Sequence, residues 1–101
     1  MEETIIDKIK KLLKQNLPTG GKAYLCGSRA KGTAHEGSDW DIVIILDKDE
    51  IAPEDDDKIV FPLTDLGWET GEYINPVIYT LKEWNDASSP HHLMEGAIEL
   101  V

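Results

Sequence analysis

The stretch WDIVIIL (40–46) constrains this chain more than any other. Past its first two residues it is apolar at even and odd positions alike. Strand side chains alternate between the two faces of a sheet, so such a run has to be covered on both. A central strand with a packed layer on either side is therefore expected. The apolar core of the run, Ile42 to Leu46, is far too short for a membrane span, which takes ~20 residues. No membrane partner is expected.

The flanking segments supply the layers. Thr4 with Asp7 forms a capping signature, and Ile5, Ile6, Ile9, Leu12, Leu13 and Leu17 share one helical face. Pro18, Gly20 and Gly21 end that helix. KAYLC (22–26) reads as a short strand, residues 28–33 as a helical turn and 32–37 as a loop. The acid-rich stretch 47–57 is expected to be solvated. A helix follows over 55–70 with Ile59, Leu63, Leu66 and Trp68 inward, kinked at Pro62 unless it starts late. EYINPVIYT (72–80) is a third strand, and Pro76 assigns it to an edge or a bulge. KEWND opens a short helix, Ser89-Pro90 a turn, and GAIELV a last small strand. The pattern belongs to the α/β (α+β) class, a small mixed β-sheet flanked by helices, with residues 1–101 as one domain.

Charge narrows the function. Ten Lys+Arg against 20 Asp+Glu give a formal net charge of −10, so binding to a nucleic-acid backbone is not expected. A phosphate-bearing ligand would have to be received through metal ions or backbone N–H groups. The single cysteine, Cys26, excludes an internal disulfide and reads as a small buried residue. A soluble, reducing, cytoplasmic setting is the default expectation.

Chemistry concentrates in CGSRAKGTAHEGSDWD (26–41). Gly27-Ser28 stands at a strand-to-helix junction, where a glycine lets a ligand approach the backbone and the following N–H groups favour an anion. Asp39-x-Asp41 opens the apolar strand, and strand alternation places both carboxylates on one face, roughly 6–7 Å apart. Such a pair can hold one or two hard divalent cations such as Mg²⁺. No Gly-x4-Gly-Lys-Ser/Thr loop is present. His35 reads as a solvated loop residue, and adjacent His91-His92 as a poor metal site.

Gly27, Ser28, Arg29, Ala30, Lys31, Gly32 and Thr33, followed by Ser38, Asp39, Trp40 and Asp41, resemble the motif of the nucleotidyltransferase superfamily with the DNA polymerase β-like fold. The element order resembles that of its small stand-alone members, the minimal nucleotidyltransferases. The resemblance implies that Gly27 and Ser28 hold the triphosphate of ATP or another NTP, that Asp39 and Asp41 bind Mg²⁺, and that Ser38 belongs to the nucleotide site. Arg29 and Lys31 are candidates to touch phosphate, with a salt bridge to a nearby acid or plain solvation as the competing reading. Relatives commonly carry a third catalytic carboxylate on the next strand; here that place falls to Asn75, an amide that can ligate but cannot act as a general base. Glu72 is the nearest acid, but its parity puts it on the other face. The implied activity is transfer of AMP from ATP to a partner protein or a small hydroxylated acceptor. The short chain leaves little for an acceptor domain, so a second copy, in a homo-oligomer, or another protein would supply that surface. Small relatives resemble antitoxins of toxin–antitoxin pairs whose partner is a helical HEPN-domain protein. The alternative is a degenerate module that acts by docking to such a partner.

Overall fold

Strand β2 (Trp40–Leu46) lies inside a four-stranded sheet, in the computed structural model that describes residues 4–35, 37–86, 94 and 96–101. On one side it pairs antiparallel with β1 (Lys22–Cys26), and on the other parallel with β3 (Ile74–Thr80). The two-residue β4 (Ile98–Glu99) adds antiparallel to the far side of β1, so the sheet is mixed, in the order β3-β2-β1-β4. Both faces of β2 are covered, as its sequence requires. Ile42, Ile44 and Leu46 are wholly buried with Ile9, Leu13, Ile59 and Leu63 on one face. Val43 and Ile45 pack with Cys26 and Trp84 on the other.

Helix α1 (Ile5–Asn16) covers the first face, and its start is fixed locally. Thr4 Oγ1 accepts from the Asp7 N–H at 3.2 Å while Asp7 Oδ2 accepts from the Thr4 N–H at 3.3 Å, so two otherwise orphaned donors are satisfied. β1 leads into α2 (Gly27–Lys31). On the second face, α5 (Leu81–Asn85) begins with an equivalent box between Thr80 and Glu83 and carries the buried Trp84, which packs on Tyr79. β3 lies at one end of the sheet with Pro76 opposite Ile42, so the missing N–H falls on an edge strand, the first of the two places expected for it. Among the described residues no helix is long and apolar enough to cross a membrane. The Ser89-Pro90 turn and His91-His92 lie outside the described residues.

The helical stretch 53–70 departs from expectation in two places. It runs as α3 (Pro53–Asp55), a π-helical turn (Asp56–Val60) and α4 (Phe61–Thr70). The wide turn falls just ahead of Pro62, whose ring would press on the carbonyl four residues back in a regular helix. Trp68, expected inward, is 84% exposed. The inward position beside it belongs to Gly67, where an added Cβ would come within 2.8 Å of the Glu72 carbonyl. The close approach of α4 to the chain entering β3 needs a residue without a side chain, and the indole is left outside. Asp55, expected solvated, is buried: its Oδ2 accepts from the Lys48 ammonium at 2.8 Å and the Ala52 N–H at 2.7 Å.

The Lys48 bond holds the Asp55 carboxyl below its ordinary pKa. A lowered pKa contributes stability that is present above the unfolded-state value and lost as pH falls through the folded-state value. Asp55→Ala should therefore cost about 1–3 kcal/mol near neutral pH, and the deficit should shrink in acid, as read from urea unfolding at several pH values.

Candidate active site

The antiparallel register sets Cys26, the last residue of β1, opposite Asp41 near the start of β2. The chain then turns at Gly27, with φ +71°, straight into α2, which Gly32 closes by donating its N–H to the Ser28 carbonyl. Glycine is needed at 27 for two reasons. Its φ disfavours any L side chain, and an added Cβ would sit 2.5 Å from Asp41 Oδ2. The carboxylate thus lies against bare backbone at the strand-to-helix turn, next to the half-buried Ser28.

Parallel pairing puts Asn75 of β3 in register with Asp41, and its Nδ2 donates to Asp41 Oδ1 at 3.3 Å. Cys26 is 1% exposed, with Sγ 3.9 Å from the Tyr24 carbonyl and 4.0 Å from Met94 Sδ. Burial, with the Asp41 charge adding to it, pushes its pKa up, so it remains a packed thiol and not a nucleophile.

Asp39 stands just outside the strand and is exposed, so only Asp41 of the pair is held by sheet pairing. Asp39 and Asn75 both line a cleft of ≈ 590 Å³ that continues past Glu72, Tyr73 and Trp68. A brace holds the segment that carries Asp39. Arg29 donates to the Ser38 carbonyl from Nε (3.3 Å) and Nη2 (3.0 Å), and lies 4.4 Å over the Trp40 ring. Its Nη2 is 3.8 Å from Glu72 Oε2, which also accepts from Trp40 Nε1 at 3.0 Å. The Trp40 N–H reaches the Tyr73 carbonyl at 2.7 Å, and Ser38 Oγ accepts from the His35 N–H at 3.0 Å. Arg29 thus makes a salt bridge to a nearby acid, as the sequence allowed. Lys31 and His35 are exposed.

Sequence reasoning missed the bracing roles of Trp40 and Glu72. Parity did carry the signal, since it set Glu72 on the face opposite Asn75, which is where Trp40 points. Among the described residues no three His, Cys, Asp or Glu side chains converge.

A four-stranded mixed sheet flanked by helices, with β3 parallel at its edge, matches the nucleotidyltransferase fold. The chain belongs to the nucleotidyltransferase domain family, whose model matches residues 6–96. Among solved structures it is similar to a toxin–antitoxin crystallised with AMP-PNP, at 23% identity and a TM-score of 0.67, over 95% of this chain and 72% of that one. It is also similar to an MntA–HpeT toxin–antitoxin mutant with two aspartates changed to glutamate, at 22% identity and a TM-score of 0.65, over 95% and 72%. A third, a tyrosine-to-alanine mutant of MntA–HpeT, gives 23% identity and 0.62, over 94% and 70%. These likenesses are of fold, and they agree with a minimal nucleotidyltransferase. No curated protein matches the chain significantly.

Gly27 and Gly32 offer an internal comparison, since Gly32 has φ +76° but nothing within 4 Å of an added Cβ. Gly32→Ala should cost the backbone penalty alone, about 1–2 kcal/mol. Gly27→Ala should cost more, because Asp41 must also move, and urea midpoints of the two variants will show the difference.

Proposed function

We propose that this chain is a Mg²⁺-dependent nucleotidyltransferase that moves AMP from ATP to the hydroxyl of a partner protein or a small acceptor. The observation that carries the reading is the approach of the Asp41 carboxylate to Gly27, with Asn75 in register beside it. The site fits Mg²⁺ on its donor chemistry: Asp39 and Asp41 offer hard carboxylate oxygens, and Gly27 admits the Asp41 carboxylate to the turn. Asp39 and Asp41 would hold the cation, with Asn75 as a neutral neighbour. When bound, Mg²⁺ would supply positive charge to offset the negative charge on the oxygens of the α-phosphoryl group.

This chain's own residues do the rest. The Gly27–Ser28 backbone and the Ser28 hydroxyl receive the β- and γ-phosphates, with Lys31 as an exposed cation at the end of α2. Arg29 and Ser38 support the site by fixing the segment ahead of Asp39. The acceptor oxygen bonds to the α-phosphorus as the bond from that phosphorus to the β-bridging oxygen breaks. Pyrophosphate leaves on the Gly27 side, and the hydroxyl proton passes to water, because the Asn75 amide cannot take it. The AMP-PNP in one similar structure and the toxin–antitoxin nature of the others support a nucleotide and a protein partner. The low cysteine content accords with a cytoplasmic setting.

Asn75 favours one further reading, an antitoxin-like module that docks to a HEPN-type helical protein without turnover. In that case association would need no ATP and would survive loss of both aspartates.

Calorimetry of ATP with and without Mg²⁺ tests the first reading. Binding should depend on Mg²⁺, and Asp39→Asn with Asp41→Asn should weaken it tenfold or more, about 1.4 kcal/mol. Equal binding by wild type and variant would overturn it. Separately, Asn75→Asp should raise pyrophosphate release from ATP by about 10²-fold, the size of a general-base contribution.

A further inference from the structure

The spacing of Asp39-x-Asp41 leaves the number of cations open, since such a pair can hold one divalent ion or two. The neighbours of Asp41 decide between them. On its own face of the sheet, Asp41 stands in register with Cys26 on β1 and with Asn75 on β3. Neither offers an anionic oxygen. Cys26 is buried, with Sγ near the Tyr24 carbonyl and Met94 Sδ, and a thiol is a soft donor that a hard ion does not select. Asn75 is exposed, uncharged, and already bonded to Asp41 Oδ1 through Nδ2. Glu72, the other acid nearby, is tied to Trp40 and Arg29 on the opposite face.

The direction of the Asn75 bond matters. With the amide turned the other way, two oxygens would stand at the same 3.3 Å with no proton between them. The amide therefore presents hydrogen, the positive end of its dipole, to the carboxylate. A cation placed between these two side chains would meet that hydrogen. To ligate there, the amide would have to give up its bond and turn, and would then supply one neutral oxygen. Ligand count and charge give the same answer. Mg²⁺ is held by one or two carboxylates together with substrate phosphates and water, which Asp39, Asp41 and a triphosphate supply once. A paired-ion clamp sets its second ion ~4 Å from the first. Here that ion would share the same two carboxylates, bringing four positive charges to two negative side chains.

We infer that this site takes a single divalent ion, the one that arrives with the triphosphate, and that Asn75 is the residue that limits it to one. The inference rests on the nucleotidyltransferase reading. It adds the ion count and a role for the Asn75 amide, whose N–H serves Asp41 Oδ1 in place of a second cation.

The test is equilibrium dialysis of the full chain against AMP-PNP and Mn²⁺, which stands in for Mg²⁺ because electron paramagnetic resonance separates its free and bound forms. Wild type should retain one Mn²⁺ per bound nucleotide. Asn75→Asp should retain two, as a spin-coupled pair ~4 Å apart. Asn75→Ala, which removes the amide without adding an anion, should stay at one. Circular dichroism checks that the variants fold, and the wild-type count decides the matter whether they do or not. Two ions per nucleotide in wild type, one in a folded Asn75→Asp, or two in Asn75→Ala would overturn the inference. Failure of the underlying reading shows differently: the wild-type chain would then retain no AMP-PNP at any Mn²⁺ concentration.

Discussion

The whole site depends on a steric fact, that the Asp41 carboxylate occupies the space where residue 27 would carry a side chain. Antiparallel pairing of Cys26 with Asp41 brings the two together, and that register is held from a distance by the core. A slip of one residue would move Ile42, Ile44 and Leu46 out of one apolar layer and turn Asp41 toward the other face. Such a slip would set the Asp41 carboxylate against the apolar layer of Ile9, Leu13, Ile59 and Leu63. The position of one carboxylate is thus a consequence of hydrophobic burial along the strand that follows it.

The second carboxylate is positioned by different physics. Asp39 lies beyond the ladder, and its segment is tied down by Arg29, Trp40 and Glu72, which join α2, the start of β2 and the approach to β3. Arg29 is largely buried, so its hydrogen bonds and ring contact are worth more than an exposed ion pair. In a chain with twice as many acids as bases, one cation placed there also offsets charge near two aspartates. The brace leaves Asp39 exposed in the cleft that Trp68 and Tyr73 also line.

Much of the fold was legible because its signals are local. The Thr4–Asp7 box, the doubly apolar β2 and the edge-strand proline each act within a few residues, and each stands where the sequence sets it. The Gly-Ser and Asp-x-Asp motif was likewise readable, since the spacing reflects one turn and one strand start. Trp68 misled because apolarity says a residue can be buried, not that room exists. Gly67 took the inward position and drew β3 close. Asp55 misled in the opposite sense: an acid in an acidic run looks solvated until Lys48 and the Ala52 N–H meet it.

By itself, then, the sequence determined which segments are helix or strand, that β2 is central, and that the Gly-Ser and Asp-x-Asp pair marks the nucleotidyltransferase family, because periodicity, capping and motif spacing are properties of neighbouring residues. Only the tertiary structure decided that Arg29 braces the chain beside Asp39, that Asn75 touches Asp41 across two parallel strands, and that α4 turns Trp68 toward the cleft that Asp39 and Asn75 line. Those outcomes depend on which distant segments meet, and side-chain type alone does not encode that meeting.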